Sequence, residues 1–198
     1  MKKLLLLLCF VFIHQVVYPV YFKHLGMSDG LSQVSVMSIY QDCLGRMWFG
    51  TREGVSIYDG ERMRVYKGWE NLDPESSINV LLGHECDHLT GNRQGDIFFR
   101  TCDSLVRYDI REEKFCVVSG CKAKTITSAD GDIWTGYDDM VCRYDEKGDS
   151  LQLYAKTNTP GISSLLISGK KIWIGTYEGL YVICLLYTSP SPRDKRQS

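Results

Sequence analysis

Most of the usual marks of catalytic chemistry are missing from this 198-residue chain. There is no C-x-x-C pair, which removes the strong sequence signal for structural zinc. There is no G-x-S-x-G and no glycine-rich phosphate loop, so neither a nucleophile elbow nor a nucleotide cradle is expected. No pair of carboxylates stands out for acid–base work. Charge of either sign is not concentrated: the formal net charge is −1, with Lys and Arg scattered along the chain. Without a basic stripe, nucleic acid is not an expected partner. The longest apolar run, Leu4 to Ile13, is too short to span a bilayer. No stretch between the termini has the period of a long amphipathic helix.

Histidine is scarce too, at four residues, yet two of them stand in His84-Glu85-Cys86-Asp87-His88, an H-E-x-x-H match. On a helix that spacing would set two imidazoles on one face for zinc, with Glu85 as base. Here Gly83 precedes it and Thr90-Gly91 follow, where a strand or loop is expected. In a strand, residues four apart lie about 13 Å from one another. Two ligands at roughly 2 Å from one metal cannot be that far apart. No metal, cofactor or catalytic residue is therefore assigned.

What the chain does have is one sentence written four times. Gly45-Arg46-Met47-Trp48-Phe49-Gly50 leads to Gly54-Val55-Ser56-Ile57-Tyr58-Asp59. Gly95-Asp96-Ile97-Phe98-Phe99-Arg100 leads to Leu105-Val106-Arg107-Tyr108-Asp109. Gly131-Asp132-Ile133-Trp134-Thr135-Gly136 leads to Met140-Val141-Cys142-Arg143-Tyr144-Asp145. Lys171-Ile172-Trp173-Ile174-Gly175 leads to Gly179-Leu180-Tyr181-Val182-Ile183. The anchors Trp48, Phe98, Trp134 and Trp173 are spaced by 50, 36 and 39 residues. In three copies Tyr follows the anchor by ten residues and Asp by eleven. Periods of this size belong to chains of stacked supersecondary units.

Within a unit the apolar residues alternate as strands require. Met47 and Phe49 face one way, Trp48 and Gly50 the other. Further strand-like runs follow Tyr-Asp at Met63 to Tyr66, Phe115 to Val118 and Leu151 to Tyr154. Others precede each turn at Val36 to Tyr40, Val80 to Leu82, Thr125 to Thr127 and Ser164 to Ile167. About four strands per unit fit a blade of a β-propeller. The expected fold is all-β: a partial β-propeller of about four four-stranded antiparallel blades, arranged as an open arc. A β-sandwich or jelly roll is the rival, and a closed four-blade ring a further alternative. Trp48, Phe98, Trp134, Trp173, Tyr58, Tyr108 and Tyr144 are read as packing anchors between blades. Gly50, Gly136 and Gly175 leave room where neighbouring backbones approach. Asp59, Asp109 and Asp145 are read as turn residues that bond their own backbone. An open arc exposes apolar faces at both ends, so poor solubility of the isolated chain is expected.

Met1-Lys2-Lys3 and the apolar run after it read as a secretory signal peptide over 1–18. An uncleaved anchor is the alternative, because no small-x-small site precedes Tyr21. Export allows disulfides. Apart from Cys9 and Cys184, the cysteines Cys43, Cys86, Cys102, Cys116, Cys121 and Cys142 fall at different phases of the repeat. No pairing framework is implied, and most are expected to act as small buried hydrophobes. The strand-like Val20 to Lys23 is the kind of segment that completes a last blade. At the other end, residues 184–198 can be encoded by a nucleotide string resembling a transposase-based sequencing adapter. The repeat breaks at the same point, since Ile183 fills the Tyr slot and Cys184 the Asp slot. An adapter-derived artefact tail is expected there. The propeller is assigned to 19–183, with blades near 31–67, 77–118, 123–155 and 162–183.

The opening block, Asp29-Gly30-Leu31-Ser32-Gln33, then Tyr40-Gln41-Asp42, Gly45, Trp48-Phe49-Gly50-Thr51, Gly54-Val55 and Tyr58-Asp59-Gly60, resembles the two-component-regulator propellers. These form the periplasmic sensor half of hybrid two-component proteins in Bacteroidetes-type bacteria. The resemblance covers about 21–183. It departs at Phe98 and Arg100, where Trp and Gly would stand, and at Asp139-Met140, where a Gly would stand. It implies a longer, membrane-anchored parent with two propellers, a sandwich-like module, a histidine kinase, a receiver and an AraC-type DNA-binding domain. It implies a homodimer and an oligosaccharide ligand that switches on gene expression. None of the kinase motifs is in this chain, and no ligand residue is carried over. A secreted lyase of the streptogramin-lyase type and a protein-binding propeller adaptor are the other readings. The lyase would need His and acidic groups at a central channel, where the repeat supplies no His.

Overall fold

The computed structural model describes residues 21–67, 85–102 and 104–185. Among these, one 3-10 turn, Met27–Asp29, precedes fifteen strands. The first sheet runs in order through β1 (Val36–Gln41), β2 (Met47–Thr51), β3 (Gly54–Tyr58) and β4 (Met63–Tyr66). The second uses β5 (Cys86–Gly91), β6 (Ile97–Thr101), β7 (Ser104–Asp109) and β8 (Lys114–Lys122). The third uses β9 (Thr125–Ala129), β10 (Asp132–Tyr137), β11 (Met140–Asp145) and β12 (Ser150–Lys156). The fourth has three strands, β13 (Ile162–Ser168), β14 (Lys171–Thr176) and β15 (Gly179–Cys184). Pairing within each sheet is antiparallel between sequence neighbours. The second and third sheets also touch through their outer strands, by one parallel bridge between Ser119 and Ser150. These are the blades of an open, partial propeller, as the repeat predicts.

Short-range chemistry sets the hairpins. The β9–β10 turn is Asp130-Gly131, with φ of 52° and 81°. That is the two-residue turn whose twist matches the strands it joins. After β3 and β7, Asp59 Oδ1 accepts from the Glu61 and Arg62 amides, and Asp109 Oδ1 from those of Arg111 and Glu112. Asp145 Oδ1 accepts from the Lys147 amide at 3.2 Å. The recurring Asp thus supplies the backbone bonds of each turn, as its position in the repeat suggests.

Alternation then sorts side chains between two neighbours. Trp48, Val55 and Ile57 leave the first blade to pack on Ile97, Phe99, Val106, Tyr108 and Phe115 of the second. Phe98, Leu105 and Val118 of the second pack on Ile126, Ile133 and Tyr144 of the third. Trp134 and Val141 of the third pack on Ile162, Ile172 and Ile174 of the fourth. The core is therefore three apolar layers between blades rather than one centre. The first strands β1, β5, β9 and β13 approach one another in turn, which places them on the inner side of the arc.

The run at 80–82 lies outside the described residues; among those described, the strand paired with β6 is β5. Residues 21–23 form no strand, and Tyr21 and Phe22 are exposed.

Candidate functional site

Of the aromatic residues singled out in the sequence, Trp48, Tyr108, Phe98, Tyr144 and Trp134 lie in the apolar layers between blades. Trp48 is fully buried, and its ring meets Tyr108 of the next blade edge-on at 4.9 Å. Phe98 meets Tyr144 of the next blade in the same way at 4.8 Å. The third junction differs: Ile183 stands where Tyr would, and Trp134 meets Tyr154 on the outer strand of its own blade at 4.9 Å. Trp173 and Tyr58, on the outermost blades, are half-buried. Gly50 and Gly136 are buried at close approaches. A Cβ on Gly50 would collide with the Cys86 carbonyl oxygen of the next blade, and one on Gly136 would lie 2.6 Å from Ile162 Cγ2. Among the described residues no blade follows Gly175, and the nearest atoms to a Cβ there belong to Ser163 and Ser164 of its own sheet.

Several polar arrangements were not legible beforehand. Asp42 organises the first turn: its Oδ2 accepts from Trp48 Nε1 at 2.8 Å and Arg46 Nε at 2.7 Å, and its Oδ1 from the Leu44 and Arg46 amides. Burial opposes the Asp42 charge, but the bonds from Trp48 and Arg46 outweigh it and hold the carboxyl below its usual range. The opening block has a structural job as well. Ser32, Thr51 and Ser56 form a buried hydroxyl cluster, with Ser32 Oγ 2.8 Å from Thr51 Oγ1 and 2.9 Å from Ser56 Oγ. It fastens the segment before β1 to the first blade.

The H-E-x-x-H residues resolve into an ion pair. His84 lies outside the described residues. Asp87 takes a two-pronged contact from Arg100, with Nε 2.7 Å from Oδ1 and Nη2 on Oδ2. His88 Nδ1 lies 2.9 Å from Asp87 Oδ1. Burial again opposes the carboxylate, but Arg100 and His88 prevail and bring the Asp87 pKa to about 2. Arg100 fills the slot where other units carry Gly. Correspondingly, β6 stands further from the next inner strand than β2 or β10 does. Among the described residues no group of three or more His, Cys, Asp or Glu is placed to hold a metal. Of the cysteines, Cys86 and Cys142 are buried, whereas Cys43 and Cys102 are exposed.

A polar ledge lies where the second and third blades meet, on the face of the β1–β2 type turns. Two adjoining hollows form it. One is lined by Asn92, Asp96, Arg107 and Arg111, the other by Arg93, Asp132, Arg143 and Gln152, and both share Gln94, Tyr144 and Glu146. Arg107 is its hub, reaching Asp96 at 3.1 Å, Asp109 at 3.2 Å and Asp149 of the next blade at 3.3 Å. Burial works against the Arg107 charge, but Tyr144, Asp96 and Asp149 outweigh it and raise its pKa. Its buried Nε has no hydrogen-bond partner. Tyr144 donates to Asp149 Oδ1, and burial followed by that bond raises the phenol pKa, so it keeps its proton. Gln94 donates to Glu146 across the blades. Guanidinium, amide, carboxylate and phenol groups are thus interleaved, and Tyr144 is no base at neutral pH. The arrangement suits binding of a ligand that both donates and accepts hydrogen bonds.

No family model matches the chain. A curated relative, histidine kinase P4 of Formosa agariphila, is 41% identical over 59 residues, which is 30% of this chain and 4% of that protein. Two solved structures are extracellular domains of hybrid two-component systems from B. thetaiotaomicron. One superposes with a TM-score of 0.69 at 24% identity, over 82% of this chain and 25% of the other. The second gives 0.67 at 15% identity, over 87% and 24%. The chain spans about a quarter of those domains. No helix among the described residues is long and apolar enough to cross a membrane. In fold the chain is a propeller segment like those in the extracellular domains of hybrid two-component systems, and over 59 residues it shares sequence with a histidine kinase.

Proposed function

We propose that this chain is part of the exported, ligand-sensing propeller of a hybrid two-component sensor that reads oligosaccharides to control gene expression. The observation that carries the reading is the 59-residue stretch shared with a histidine kinase, set in a propeller of the two-component type. In this reading residues 1–18 are a signal peptide, 19–183 carry the blades and 184–198 are an adapter-derived tail. The kinase belongs to a longer, membrane-anchored, dimeric parent, and this segment works on its periplasmic side. The propeller offers a rigid frame with ligand groups at its turns. A ligand moves the kinase equilibrium only by its difference in affinity for two states of the dimer.

The ledge between the second and third blades supports a sugar ligand, because each hydroxyl both donates and accepts. The test is calorimetric titration of the gene's entire exported region with a broad glycan panel. Binding that falls when Gln94 and Glu146 are both replaced by Ala is the expected result. No heat from any glycan overturns the oligosaccharide reading.

A further inference from the structure

The ledge between the second and third blades carries a charge imbalance that bears on which sugars it takes. At its centre one guanidinium faces three carboxylates. Arg107 reaches Asp96 and Asp109 of its own blade and Asp149 of the next, all within 3.3 Å. The side chains of Arg107, Asp96 and Asp109 are at most 22% exposed. One positive charge therefore sits among three negative ones, where salt screens them poorly. Glu146, on the edge of the same hollow, adds a fourth carboxylate, and Arg111 a second cation. This hollow remains negative overall.

The adjoining hollow does not reverse the balance. There Arg143 is closed on Asp132 at 2.8 Å, and Asp145 offsets Lys147. Arg93 is the cation in excess, and its Nη2 already donates to the Asp130 carbonyl. Arg93 and Lys147 are exposed, so water and salt weaken their pull on a ligand. The fixed, half-buried charges around Arg107 therefore dominate. Their chemistry favours hydroxyls. A carboxylate offers about four lone-pair sites, and Asp149 uses one oxygen for Tyr144 and the other for Arg107. The remaining sites accept from a sugar hydroxyl by a charge-assisted bond. A sulfate or carboxylate on a ligand can only accept. To reach Arg107 it must displace one of three carboxylates and then lie beside the others, and such like-charge contact costs affinity.

We infer that the ledge takes uncharged, hydroxyl-rich saccharides and turns away sulfated or uronic-acid ones, with Asp149 and Glu146 as the residues that set this choice. Asp96 and Asp109 also bond backbone amides of the β7–β8 turn, so their charge is tied to the fold. Asp149 and Glu146 hold only side chains, Asp149 those of Tyr144 and Arg107 and Glu146 that of Gln94. Their charge can be removed without touching a turn. The inference rests on the oligosaccharide reading and adds the class of sugar.

The test is calorimetric titration of the gene's entire exported region with matched pairs of glycans, each a neutral oligosaccharide and its sulfated derivative. The same titrations are run on the double variant Asp149→Asn with Glu146→Gln, which keeps an acceptor oxygen at each position and removes both charges. Circular dichroism with a thermal melt confirms that the variant keeps its blades, and should it misfold, each single substitution carries the test. The native protein is expected to bind the neutral member about tenfold or more tightly than the sulfated one. In the double variant that ratio is expected to fall about tenfold, because two like charges no longer face the sulfate. Equal or tighter binding of the sulfated member by the native protein overturns the inference and leaves the oligosaccharide reading standing. A neutral preference unchanged in the variant places the discrimination elsewhere and also overturns it. No binding of either member overturns the oligosaccharide reading, and the inference falls with it.

Discussion

Trp48 and Tyr108 lie on different blades and meet edge to face with ring centroids 4.9 Å apart. The indole N–H is held by Asp42, while the Tyr108 hydroxyl is buried with no hydrogen-bond partner. One aromatic is therefore anchored at its polar end and the other is not. Trp48→Ala should cost about 3–5 kcal/mol, the range for deleting a large buried aromatic. Tyr108→Phe should cost nothing and stabilise by up to about 1 kcal/mol, since it removes an unsatisfied polar group. Urea unfolding of the three proteins measures both, and a clear loss of stability in Tyr108→Phe would show that the hydroxyl has a partner.

Acid should weaken the second blade through Asp87. Its pKa falls from 3.8 to about 2 in the folded chain. A depressed carboxyl contributes stability that is present above the unfolded value and is lost as pH drops toward the folded one. The contribution is roughly 2 kcal/mol and should disappear between about pH 5 and pH 2. Asp87→Asn should lower stability at neutral pH and flatten the profile in that window. An unchanged slope in the variant would place the acid sensitivity elsewhere.

Close approach makes two glycines unequal. Gly50→Ala drives a methyl into the Cys86 backbone carbonyl, whereas Gly136→Ala meets the side chains of Ile162, Thr125 and Leu165. Side chains yield by changing rotamer, but a strand backbone moves only with its sheet. Gly136→Ala should cost about 1–3 kcal/mol, the usual overpacking range, and Gly50→Ala more. Thermal melts that rank them the other way would contradict the tight seating of β2 on β5.

The turn at Asp42 should behave as a unit. Asp42→Ala removes the acceptor of four donors and leaves Arg46 buried without its partner. Breaking a buried pair from one side costs about 3–5 kcal/mol. The double change Asp42→Ala with Arg46→Met should recover part of that loss, because no charge is then stranded. Chemical denaturation of the single and double variants decides it.

Period-two alternation, the Tyr and Asp spacing and the Asp-Gly turn are local signals, and they made the strands and hairpins legible in the sequence. Partners across a junction could not be read. Nothing near Arg100 in the sequence shows that it reaches Asp87, although its replacement of the repeat's Gly marked the place as irregular. The ledge was hidden for a related reason, since Gln94 and Glu146 come together only when the second and third blades dock.

By itself the amino-acid order determined what each stretch becomes: blade-sized units, their turns and the two faces of every strand. Those outcomes depend on backbone geometry within a few residues. Only the tertiary structure decided who meets whom. Such contacts depend on how whole sheets stack: Trp48 meets Tyr108 of the next blade, whereas Trp134 meets Tyr154 of its own.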